Sequence, residues 1–135
     1  MGFESEMTRA INGTMETLER TRILLIQKLF RDIVFDTPVL DGTLRGSWKT
    51  TKQNPSSEKG SADPSGALTI SQMEVTVGAS TFGVDIYLTN NQPYAYRIEF
   101  LGWSSVKAPQ GMVRRNVLRV QEILKQVQSQ VNRGR

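Results

Sequence analysis

The chain contains no cysteine and no histidine. The first absence excludes disulfides and thiolate metal sites. The second removes the commonest general base and the commonest neutral metal ligand. Any catalysis would have to run on carboxylates, lysine, serine or tyrosine, so an enzyme is not expected and no cofactor is assigned. Aromatic residues are scarce, at 7%, and hydrophobic residues fill only 38% of the 135 positions. One domain with a modest core follows, with some surface left for partners. Long apolar runs are missing as well. The longest, Ile23-Leu24-Leu25-Ile26, is far too short to cross a bilayer. The start, Met1-Gly2-Phe3-Glu4-Ser5-Glu6, lacks the basic residues and apolar run of a secretion signal. A soluble protein made in a cytoplasm, with no membrane partner, is the expectation. The excess of positive charge is small: 17 Lys+Arg against 13 Asp+Glu, a net +4. It permits contact with nucleic acid or an acidic protein face without demanding either.

What is present is patterned. Met7, Ile11, Met15, Leu18, Leu25, Leu29 and Ile33 recur at helical steps, and Ile26, Phe30 and Val34 widen the stripe past its midpoint. This predicts one long helix whose narrow-striped first half docks as an arm and whose second half sits in the core. Thr37-Pro38 ends it, because a residue before proline disfavours helical backbone. A helical turn over Thr43–Trp48 follows the Asp41-Gly42 turn, and Trp48 opens a strand. Residues 53 to 66 are rich in Pro, Gly and Ser and read as a mobile loop. Ala67–Ala79 fits either a helix or a strand, with helix preferred. Val84, Ile86 and Leu88 alternate as a strand, which Asn90-Asn91 breaks. A short helix over Pro93–Phe100 comes next.

The final helix carries a heptad-like seam of Val113, Val117, Val120, Leu124, Val127 and Val131. The whole is read as a single α+β domain over 1–135. It has a small antiparallel sheet packed by a long N-terminal and a long C-terminal helix, a mobile loop 53–66 and flexible ends 1–6 and 132–135.

No catalytic constellation, phosphate loop or acidic metal triplet is visible. The C-terminal segment is basic, with Arg114, Arg115 and Arg119 as candidates for DNA or an acidic partner. A solvated helix face is nevertheless the preferred reading of the segment as a whole. Arg114 and Arg115 stand out because cations near a helix start are unfavourable unless an acid meets them. Tyr94, Tyr96, Phe100 and Trp103 form the one aromatic cluster, better suited to core and interface packing than to stacking bases. A buried Glu99 would need a partner, for which Arg97 and Arg45 are the candidates.

The run Tyr87-Leu88-Thr89-Asn90-Asn91-Gln92-Pro93-Tyr94-Ala95-Tyr96-Arg97-Ile98-Glu99, with Gly102-Trp103-Ser104 and Ala108-Pro109-Gln110-Gly111-Met112-Val113-Arg114, resembles the neck and tail-completion proteins of tailed phages. These are also catalogued as head-to-tail connector or minor tail components. Thr37-Pro38-Val39 and Asp41-Gly42-Thr43-Leu44-Arg45 agree, except that the family often has threonine before glycine in that turn. The likeness covers roughly residues 20 to 120, most of a domain. It implies a virion structural protein without cofactors or catalytic residues. Its subunits would form a homo-oligomeric ring at the head–tail junction, a hexamer first and a dodecamer as the alternative. Head-closure, connector, tail-terminator or tail-tube proteins would be its partners, with non-specific contact to channel DNA. A tail terminator capping the tail tube, and a small DNA-binding protein, are the competing readings. The interface residues implied are Trp48, Asn90, Asn91, Pro93, Tyr94, Tyr96, Glu99, Trp103, Pro109 and Met112.

Overall fold

A computed structural model describes residues 2–101 and 110–134. Its elements are α1 (Phe3–Asp36), α2 (Thr43–Gly46), β1 (Trp48–Lys52), α3 (Ala67–Gly78), β2 (Ile86–Asn90), α4 (Ala95–Phe100), α5 (Val113–Val117) and α6 (Val120–Arg133). The fold is α+β: long helices at both ends and one antiparallel pair of strands. Trp48 pairs with Asn90, Thr50 with Leu88 and Lys52 with Ile86. Asn90 therefore closes the strand rather than breaking it. Two strands alone are marginal in water; here α3 packs on β1, and Trp48 and Leu88 join the core that holds Ile33 and Val34 of α1.

The widening stripe of α1 behaves as its pattern predicts. Ile33 and Val34 are buried at its C-terminal end, whereas residues 3 to 16 are all exposed. Glu4 and Glu6 sit in its first turn, where the helix dipole favours acids. The main core joins Ile33 and Val34 to Leu44, Trp48, Ala95, Ile98 and Met112, with Phe30, Ile70 and Leu88 at its edge. A second core lies where Ile123, Val127 and Val131 of α6 meet Leu24, Leu25 and Leu29.

The segment 67–79 folds as a helix, with Thr69, Met73 and Val77 buried. Residues 53 to 66 have neither helix nor strand, yet they are fastened to the body. Asn91 donates to the carbonyls of Ser56 (2.8 Å) and Glu58 (2.9 Å). The Asp63 carboxylate accepts from the backbone N–H and the hydroxyl of Thr69, both at 2.8 Å. Burial acts to raise the pKa of Asp63, but these bonds and others near the start of α3 outweigh it and hold the pKa below its ordinary value. A Cβ on Gly46 would lie 1.9 Å from the Ser61 carbonyl, so only glycine lets the loop rest there.

The C-terminal helix departs from expectation. It is two helices, broken at Leu118 and Arg119, where the Arg119 N–H bonds back only three residues to Asn116. The break shifts the seam. Val127 and Val131 are buried as predicted, but Ile123 joins them in place of Leu124, and Val117 is exposed. Helix also extends further than the expected flexible ends, starting at Phe3 and running to Arg133. Among the described residues no helix is long and apolar enough to cross a membrane.

Candidate functional site

The most chemically specific feature is the corner between α4 and α5. Glu99, on the last turn of α4, is buried. Its carboxylate accepts backbone N–H groups from Met112 (2.5 Å), Val113 (3.0 Å) and Arg114 (2.9 Å). These are donors that the first turn of a helix leaves without partners. Glu99 thus caps α5 from a distance, doing what a neighbouring Ser or Asp usually does. Arg114 adds a guanidinium contact of 3.2 Å from Nε to the same carboxylate. The Arg114 guanidinium also donates to the Glu99 carbonyl and lies 4.9 Å from the Phe100 ring centre. Burial alone pushes the Glu99 pKa up. The three backbone donors and Arg114 together outweigh it, and the net shift is downward.

Gly111 makes this geometry available. Its φ is +83°, and a Cβ there would stand 2.6 Å from Glu99 Oε2. Glycine is required twice over, for the backbone conformation and for the approach of the carboxylate. The cation that meets the Glu99 carboxylate is Arg114, and the expected partner Arg45 is thereby corrected. Arg45 instead donates to the carbonyls of Pro64 (2.7 Å), Phe35 (2.8 Å) and Thr37 (3.0 Å), knotting the end of α1 to the loop.

The neighbouring arginine is met by an acid as well. Arg115 pairs with Asp36 at 3.1 Å. Asp36 also accepts from the side-chain amide of Asn116 (2.8 Å), which donates a second bond to the Met112 carbonyl (2.7 Å). Asn116 is fully buried and was not anticipated. Its only sequence signal is a polar residue inside a valine-rich seam. Arg114 and Arg115 thus have intrachain acids, which answers the question their position raised. Arg119 remains on the exposed surface at the α5–α6 break.

The expected interface residues divide by burial. Trp48 is core: it is buried and its indole N–H donates to the Thr37 hydroxyl at 2.8 Å. Met112 and Glu99 are buried too. None of the three can carry a contact surface in this fold. Asn90 is half-buried and donates to the Leu44 carbonyl at 2.8 Å, so with Asn91 it braces turns within the chain. Tyr94 is half-buried against the main core. Burial, then the Asp41 charge, raise its pKa. Pro93 and Tyr96 are exposed. Trp103 and Pro109 lie outside the described residues.

Exposed apolar groups complete the picture. Phe100 packs on Tyr96 with ring centres 4.9 Å apart, and both face outward beside Leu101. Val117 and Leu118 are exposed at the α5–α6 break. Among the described residues no group of three or more His, Cys, Asp or Glu is placed to hold a metal ion. No protein-family model, curated protein or solved structure matches the chain.

Proposed function

We propose that the chain is a structural subunit of the neck of a tailed bacteriophage, forming a homo-oligomeric ring between the head connector and the tail. It acts by assembly and not by catalysis, and it resides in the virion after being made in the host cytoplasm.

The observation that carries this reading is the corner built from the motif run Tyr87–Arg114. Within the run with the strongest family likeness, Glu99 is tied to Gly111 and Arg114 across the α4–α5 corner. Such bracing presents Tyr96, Phe100 and Leu101 to the outside in a fixed arrangement. A rigid corner with exposed aromatic groups suits a subunit contact, where aromatic anchors carry most of the binding energy. A small core with apolar side chains left in solvent suits a subunit completed by its neighbours.

A tail-terminator ring fits the same features and differs only in position within the particle. DNA binding has less support, because Arg114 and Arg115 are held by Glu99 and Asp36. Electron microscopy of the purified chain tests the ring: closed particles of uniform symmetry are expected. Tight duplex binding that collapses steeply with salt, without rings, would favour the DNA reading.

A further inference from the structure

The first half of α1 leaves the body uncovered. Phe3, Met7, Ile11, Met15 and Leu18 lie along one side of the helix, and all are exposed, Phe3 to 74%. The later part of α1 is covered by the C-terminal helices, which run antiparallel to it. Asn116 bonds to Asp36 at one end, and Gly134 lies beside Arg20 at the other. The cover therefore ends near Arg20, and the stripe continues past it.

This arm is poorly made to stand in water. Gly13 and the β-branched Thr8, Ile11, Thr14 and Thr17 are weak helix formers, and a free helix of about 15 residues is marginal even with good ones. The hydroxyls of Thr14 and Thr17 donate back to the carbonyls of Ala10 (3.0 Å) and Gly13 (2.9 Å), which leaves their methyl groups for contact.

A second uncovered apolar surface lies at the α5–α6 break, where Leu118 is 84% exposed beside Val117 and Arg119. The two surfaces are opposite in charge. Setting aside Glu19, Arg114 and Arg115, which pair with Arg22, Glu99 and Asp36 of the same chain, residues 2 to 20 hold three acids against two arginines, while residues 113 to 134 hold three cations against one acid. Two arms laid together would bring like net charge against like. An arm against a basic corner brings opposite charge together over apolar contacts, which is the arrangement that favours encounter and register.

We infer that the arm of one copy docks on the α5–α6 corner of a second copy. The contact joins two different surfaces, so it is head-to-tail, and repeated in one sense it closes into a ring. This deepens the neck reading, on which the closure rests; the pairwise contact can be measured without any virion.

The test uses the full-length chain and two double substitutions at exposed positions. Ile11→Glu with Met15→Glu disables the arm. Leu118→Glu with Arg119→Glu disables the corner. Sedimentation velocity over a range of concentrations reads association, and far-ultraviolet circular dichroism checks the fold. Leu118→Ser with Arg119→Ser replaces the second pair if that pair misfolds.

The wild-type chain is expected to associate, more weakly as salt rises. Each variant alone is expected to bind itself at least about ten-fold more weakly. An equimolar mixture of the two is expected to form a one-to-one complex, because one intact arm then meets one intact corner. A corner variant that associates like the wild type overturns the inference. So does a mixture that stays monomeric, or a wild-type chain monomeric at every concentration. Association that behaves as expected in a chain absent from virions would sink the neck reading alone.

Discussion

Glu99 and Gly111 are fitted to each other: a Cβ on the glycine would fall 2.6 Å from the carboxylate oxygen that caps α5. The pair makes a double-mutant cycle informative. Glu99→Ala strips the cap from three backbone donors and is expected to cost about 2–4 kcal/mol, read by chemical denaturation. Gly111→Ala should be severe in the wild type. In the Glu99→Ala background it should fall to about 1–2 kcal/mol, the cost of the positive φ alone. Additive effects would show that the close approach does not matter.

Acid should release the same corner. The folded pKa of Glu99 lies below its ordinary value. Its contribution is therefore fully present above the unfolded pKa and is lost as pH falls through the folded one. Asp63 shifts in the same direction and adds to the effect. Stability measured from neutral pH downward should decline below the ordinary carboxylate range, and Glu99→Gln should flatten that decline. An unchanged pH profile in the variant would contradict the assignment.

The core role of Trp48 gives a further check. Trp48→Phe keeps most of the packing but leaves the Thr37 hydroxyl without its indole donor, at an expected cost of about 1–2 kcal/mol by thermal or chemical unfolding. Trp48→Ala should cost about 3–5 kcal/mol. If Trp48 were instead an interface anchor, its loss would weaken assembly and spare the stability of the isolated chain.

Much of the fold was legible because periodicity reports burial directly. The stripe of α1 widens where Phe30 and Val34 enter the core, and the bare first half is exposed as its narrower stripe implies. The strand over Ile86 and Leu88 followed in the same way, whereas 67–79 carried both periodicities and only the structure decides for the preferred helix, with Met73 and Val77 buried. The break at Leu118 was hidden because valines and leucines keep a heptad-like step straight through it. Burial of Trp48 and Met112 was hidden because a large apolar side chain suits a core and an interface equally. The Glu99 partner was hidden by separation: Arg114 is fifteen residues away in sequence and adjacent only in space. The usable clues were Gly111 at the helix start and two arginines where a helix dislikes cations.

Tyr96 and Phe100 should separate assembly from folding. Both are exposed, so Tyr96→Ala and Phe100→Ala should each change the stability of the isolated chain by no more than about 0.5–1 kcal/mol. Both should reduce ring formation, scored by electron microscopy. Undiminished rings in the double variant would remove this surface from the contact.

The central claim is a place in a particle. Immunogold electron microscopy, with antibody to the chain, of tailed particles released by the host that encodes it reads that place directly. The account predicts gold at the junction of head and tail. Gold confined to the distal tail or the capsid shell, or particles free of label, would contradict it.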